Sequence, residues 1–179
     1  MGIYENYLKR FFDIILSIIL IVLLSPLILI TFIITLIHMG FPIFDIRYPR
    51  EGKNKKPFYM LKFRTRKYDT GDKWGRKTKL SSMIDKLKLN ELPQLFNILK
   101  GDMSFVGPRA FICEEELPDD RISNKRYLVK PGVTGLFQVS NMTTHKEKLQ
   151  CDVEYYDDLS FWLDFKILLK TPISILKKI

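Results

Sequence analysis

Twenty-four consecutive residues without a charge, Ile14 to Ile37, leave this chain few options. As a helix the run is ~36 Å long at ~1.5 Å per residue, enough to cross a hydrocarbon core of ~30 Å. It is rich in Ile, Leu and Val on every face, and a buried helix of that kind needs a larger protein around it. About 140 residues follow, enough for a single modest core. A cleavable signal peptide is excluded, because the run is too long and no small-x-small site follows it. The segment reads as a membrane anchor.

Whether it crosses or turns back is decided by two features. Ser25-Pro26 lies at the middle of the run. Proline removes an N–H donor and clashes with the carbonyl four residues earlier, so a kink is expected there, with the Ser25 hydroxyl able to satisfy a freed backbone group. Cationic residues also flank both ends: Lys9 and Arg10 before, Arg47, Arg50 and a long basic block after. Positive charge marks the cytoplasmic side, so a helix that enters and leaves by the same face is expected over a spanning one.

The basic block runs from Lys53 to Lys88 and holds 13 Lys/Arg against Asp69, Asp72 and Asp85. It dominates the net charge of +9 and attracts a polyanion. An anchor beside it favours phospholipid or nucleotide phosphate, and nucleic acid is not expected as a partner. Cys113 and Cys151 are far apart, and His38 and His145 are isolated, so no zinc site with normal spacing is expected.

Downstream, Pro57 to Phe63 reads as extended, and Ser81 or Ser82 as the cap of a short helix ending near Leu89. Leu92, Leu95, Phe96 and Leu99 recur at helical spacing before Lys100-Gly101, with Asn90 as the expected N-cap. Pro131 to Gly135 reads as a tight turn. The segment from Leu159 to Ile179 is amphipathic, either a core helix or one lying at the bilayer interface.

Three polar constellations carry candidate chemistry. Asn90-Glu91-Leu92-Pro93-Gln94 heads the expected helix, where free N–H groups suit a phosphate and Glu91 suits Mg²⁺. Gly101 to Arg109 pairs glycines with Arg109, able to grip phosphate in bidentate fashion. Lys62-Phe63-Arg64-Thr65 alternates cations with an aromatic residue.

In this order, with Lys9-Arg10, Ser25-Pro26 and Pro131-Gly132-Val133-Thr134-Gly135, the motifs resemble the bacterial sugar transferases, the monotopic phosphoglycosyl transferases that begin glycoconjugate assembly. The resemblance runs through Asp152-Val153-Glu154-Tyr155 and Leu163-Asp164-Phe165-Lys166. It implies an α/β, mostly helical fold: a re-entrant membrane helix broken at Ser25-Pro26 over residues 1–38, then one compact cytoplasmic unit over 39–179 with interfacial amphipathic helices. It implies transfer of a sugar 1-phosphate from a UDP-sugar to polyprenyl phosphate with Mg²⁺ and release of UMP, at the cytoplasmic face of the bacterial inner membrane. Lys62, Arg64, Arg109 and Gln138 are the residues expected to bind phosphate or nucleotide, and Glu91 to hold Mg²⁺.

The resemblance fails where the family's covalent chemistry lies. The family's nucleophile is an Asp heading the Leu-Pro-Gln helix; here that position is Asn90, a neutral amide unable to replace it. Five residues earlier the usual Arg is Asp85, and after Gln138-Val139 another usual cation is Met142. Catalysis is therefore expected to be lost or impaired. The alternatives are a rearranged active site, with Asp85 as nucleophile, or a scaffold that pairs with itself or with an active transferase.

Overall fold

The computed structural model describes residues 4–67, 75–113, 124–140 and 144–176. A π-helical turn, Tyr4–Leu8, leads into helix α1, Lys9–Met39, of 31 residues. The helix passes through Pro26, where a kink was expected, as one hydrogen-bonded element. The local chemistry explains the continuity. The carbonyl four residues before Pro26 belongs to Val22, and Ser25 Oγ donates to that oxygen at 2.9 Å, taking up the acceptor the proline cannot serve.

The two faces of α1 are inverted relative to a soluble protein. Its buried residues are Lys9, Asp13, Ser17, Thr31 and Thr35, while Val22, Leu23, Leu29 and Ile37 lie on the outside. Two of the three buried hydroxyls are satisfied within the helix: Ser17 donates to Ile14 O at 2.9 Å and Thr31 to Leu27 O at 2.8 Å, while Thr35 Oγ1 has no partner among the described residues. Between these polar positions Leu20, Ile21, Leu24 and Ile28 pack on a core of Phe58, Leu95, Ile98, Met103 and Ala110.

Both ends of α1 are fastened to the rest of the chain. Near its start, Arg10 donates to Ile98 O and Leu99 O at 2.5 and 2.7 Å, and Asp13 Oδ1 accepts from Ser104 Oγ and Phe105 N at 3.0 and 3.1 Å. At its far end His38 Nε2 lies 2.7 Å from Thr78 Oγ1, and the Arg64 guanidinium donates to Met39 O and Gly40 O.

Strands β1 (Arg50–Glu51) and β2 (Pro57–Phe58) form a small antiparallel hairpin. Helix α2, Lys79–Lys86, is capped by Thr78, with Ser81 returning the reciprocal bond; Ser81 is thus the partner of the cap rather than the cap itself. Lys88 then adopts a left-handed conformation, φ 61°, and a 3₁₀ turn, Leu89–Glu91, precedes helix α3, Gln94–Lys100. Pro93 occupies the N-cap of α3 without a side-chain bond. Asn90 is therefore one turn too early to cap it, and its amide is used elsewhere.

Strand β3, Ser104–Val106, pairs in parallel with β4, Gly132–Thr134. The segment expected as a tight turn is thus extended, and its glycine serves backbone approach: a Cβ on Gly132 would lie 2.1 Å from Gly107 N. Helices α4 (Leu136–Val139), α5 (His145–Asp157) and α6 (Phe161–Leu176) complete the chain. Val106, Val129, Tyr155 and Ile167 form the second core. Phe161 stacks on Phe165 and meets Phe12 at 5.5 Å between ring centres, which joins the exposed apolar faces of α1 and α6. The expected mostly helical α/β architecture is observed; two small sheets supply its strands.

Candidate active site

The turn between α2 and α3 brings acidic and basic side chains to the wall of a cleft. The left-handed Lys88 reverses the chain, so that Asp85, in the last turn of α2, faces Asn90 in the 3₁₀ turn. Asn90 Nδ2 donates to Asp85 Oδ1 at 2.9 Å, and the other Asp85 oxygen pairs with Lys77. Asn90 is only 5% exposed, and its Oδ1 has no hydrogen-bond partner among the described residues. Next to it, Glu91 Oε1 accepts from Lys62 at 3.3 Å and Lys88 at 3.5 Å. Burial alone would push the Glu91 carboxyl up, but the two ammonium groups outweigh it and hold it below the usual carboxylate range.

These residues border two adjoining cavities of about 640 and 280 Å³ that share Arg50, Met60, Lys62 and Asp85. The larger is two-sided. Lys62, Lys86, Lys88 and Arg109 give it a cationic side, with Asp85 and Glu91 among them, while Leu20 and Leu24 of α1 and Leu168 and Ile175 of α6 give it an apolar side. The smaller is lined mainly by polar side chains, with Arg47, Arg66 and Lys77 near Asp45, Asp85 and Asn90, and with Met60 and Tyr48 beside them.

The structure gathers most of the residues marked out by the sequence. Lys62, Glu91, Arg109 and Gln138 line the larger cavity. Arg64 lies on neither cavity; it is 6% exposed and its guanidinium donates to the end of α1. The glycine at 107 closely approaches the backbone of Lys130 to Gly132. Asp85 does not stand as an uncompensated charge, since Lys77 and the Asn90 amide share it. Met142 lies outside the described residues.

The donor set suits Mg²⁺ in one way only. Among the described residues no three His, Cys, Asp or Glu side chains converge, so a cage made wholly of protein is not formed. Mg²⁺ commonly binds through one or two carboxylates plus substrate phosphates. Glu91 fits that mode: both lysines use Oε1, and Oε2 makes no hydrogen bond among the described residues.

Sequence reasoning missed Arg50, Lys77 and Lys88 as members of this site. The i,i+3 spacing of Lys88 and Glu91 was a usable signal. The Lys77–Asp85 pair and the placement of Arg50 depend on tertiary packing and leave no local mark.

A family model described as bacterial sugar transferase matches residues 4–178. The uncharacterized sugar transferase EpsL of Bacillus subtilis is 38% identical over 177 residues, covering 94% of this chain and 87% of that protein. The UDP-glucose:undecaprenyl-phosphate glucose-1-phosphate transferase of Xanthomonas campestris is 33% identical over 194 residues, 96% of this chain and 40% of its own length. The UDP-N-acetylgalactosamine-undecaprenyl-phosphate N-acetylgalactosaminephosphotransferase of Aeromonas hydrophila is 34% identical over 191 residues, 95% of this chain and 44% of its own length. The chain thus spans less than half the length of these two relatives.

Proposed function

The chain belongs to the bacterial sugar transferase family, and from that membership we propose that it binds a UDP-sugar and polyprenyl phosphate in the two-sided cleft. The setting is the cytoplasmic face of the bacterial inner membrane, in glycoconjugate assembly. The observation that carries this reading is the lining of the larger cavity, cationic where the turn after α2 contributes and apolar where α1 and α6 contribute. Such a wall suits an amphiphile with a phosphate head and a hydrocarbon tail. Lys62, Lys88 and Arg109 bind phosphate oxygens, and Glu91 holds Mg²⁺, which when bound neutralises charge on the diphosphate.

The anchor is read as re-entrant. A spanning helix puts its two ends on opposite sides of a ~30 Å hydrocarbon layer. Here Arg10 and Asp13 near one end, and His38 and Met39 at the other, bond to one polar domain. The exposed apolar faces of α1 and α6, joined through Phe12 and Phe161, form the surface that meets lipid.

Asn90 closes the covalent route through residue 90, because its amide has no anionic oxygen with which to attack phosphorus. Turnover is therefore impaired relative to the family. A second reading, a scaffold for an active transferase, is favoured by the burial of that amide against Asp85. The test is calorimetry of the full chain in lipid nanodiscs with UDP-glucose, UDP-galactose and UDP-N-acetylgalactosamine, with and without Mg²⁺. Binding that strengthens with Mg²⁺ is expected; none at millimolar nucleotide, with or without Mg²⁺, sinks the donor-binding reading.

A further inference from the structure

Two adjoining cavities with a shared rim match a ligand with two bulky ends and a diphosphate between them. The rim residues common to both are Arg50, Met60, Lys62 and Asp85, so a nucleoside diphosphate sugar lying across them sets its phosphates beside two cations and one carboxylate. Three acidic side chains line the cavities among the described residues. Glu91 is clamped by two lysines, and Asp45 pairs with its neighbour Arg47 at 3.0 Å. Asp85 alone reaches both cavities.

We propose that Asp85 is the nucleophile of this chain, held in position by Asn90. The proposal rests on the donor-binding reading above. Asp85 is accessible where Asn90 is not: its side chain is 31% exposed. The Asn90 amide takes one lone pair of Oδ1 and Lys77 one of Oδ2, which leaves about half of the carboxylate's roughly four acceptor directions for an incoming phosphorus. The amide also fixes the side-chain rotamer from a buried base. Residue 90 thus acts as a positioning residue.

The step balances without a further reactant. An Asp85 oxygen forms a bond to the phosphorus that carries the sugar. The bond from that phosphorus to the bridging oxygen breaks, and its electrons leave with the nucleoside monophosphate, whose charge Arg50 and Lys62 offset. A phosphate oxygen of the lipid acceptor then attacks the same phosphorus and returns the Asp85 carboxylate. No proton has to move.

The experiment uses the full chain in nanodiscs with the three UDP-sugars, without acceptor. The unmodified protein is expected to release UMP and to gain the mass of a phosphosugar, labile to hydroxylamine as an acyl phosphate is, on the fragment bearing Asp85. Asp85→Asn should abolish the adduct and cut UMP release by about 10²-fold or more, while calorimetry still shows UDP-sugar binding that is no weaker, since a carboxylate beside the diphosphate has been removed. Mapping the adduct on the unmodified chain depends on no variant, so a misfolded Asp85→Asn does not remove the test. An adduct on another residue, unchanged release from a folded Asp85→Asn, or tight binding with neither adduct nor release overturns the proposal and leaves donor binding intact. Absence of binding overturns both.

Discussion

Asn90 and Asp85 hold each other across the turn between α2 and α3, with the Asn90 amide donating to Asp85 Oδ1 at 2.9 Å. Changing Asn90 to Asp converts that bond into a contact between two carboxylates. One of the pair must then take up a proton or move apart. Asn90→Asp alone is expected to lower thermal stability by about 1–3 kcal/mol, the scale of a lost buried partner. The double variant Asn90→Asp with Asp85→Arg removes the repulsion and transfers the nucleophile's role from residue 85 to residue 90, so its UMP release should exceed that of Asn90→Asp alone. Equal rates for the two would show that residue 85 does not govern the chemistry at residue 90.

Arg64 and Arg109 should part company on mutation. Arg64→Ala removes the donor to Met39 O and Gly40 O, and is expected to destabilise the fold by about 1.5–3 kcal/mol with little change in nucleotide affinity of the folded fraction. Arg109→Ala, on the cavity wall, should do the reverse and weaken UDP-sugar binding by about 1.5–3 kcal/mol. Thermal melts and calorimetry on the same two variants read both effects.

Topology is tested by access. With Cys113 and Cys151 changed to Ser, single cysteines at the exposed positions Tyr7 and Lys53 bracket α1. Both should react with an impermeant maleimide only from the cytoplasmic side. Reaction of the Tyr7 position from outside spheroplasts would establish a spanning helix.

Ser25 should matter through one acceptor. Ser25→Ala leaves Val22 O without the hydroxyl that Pro26 makes necessary, at a cost of about 1 kcal/mol. Adding Pro26→Ala restores the backbone donor and should recover the loss. Equal melting temperatures for unmodified protein and Ser25→Ala would mean the hydroxyl is dispensable.

Asp152 gives a pH signature. Burial pushes its carboxyl up to about 6, and the Arg126 guanidinium at 3.2 Å offsets that only in part. A folded-state value above the unfolded one favours folding below about pH 4 and withdraws that contribution as pH rises through about 6. Melting temperature should therefore carry a component that falls between pH 4 and 6. Asp152→Asn should flatten that component, since an amide does not titrate.

The anchor and much of the cleft could be read from the sequence because their signals are local. A run of apolar residues, Ser25-Pro26, and the order of Lys62, Glu91, Arg109 and Gln138 need no knowledge of what packs on what. The errors arose where a distant partner decides. Arg64 sits in a cationic motif, yet the carbonyls of Met39 and Gly40 claim it. Gly132 belongs to a sequence typical of a turn, yet it pairs in parallel with β3, a contact no local pattern encodes. Asn90 has the chemistry of an N-cap, but the left-handed turn at Lys88 hands it to Asp85 instead. The inward direction of Ser17, Thr31 and Thr35 is passed over when the run is read for its apolar length, although their spacing with Asp13 puts all four on one helix face.

The fastening of α1 at both ends to a single domain has a consequence for where the protein can reside. A spanning helix must match its length to the local bilayer, and mismatch sorts such proteins among membranes of different thickness. A helix tied at Arg10 and again at Met39 to the same domain has its depth set by those bonds. Under the re-entrant reading proposed above, such a helix stays in one leaflet and should occupy thin and thick bilayers alike. Reconstituted into vesicles of phosphatidylcholines with different acyl lengths, it should keep one insertion depth, reported by fluorescence quenching of the exposed Trp162.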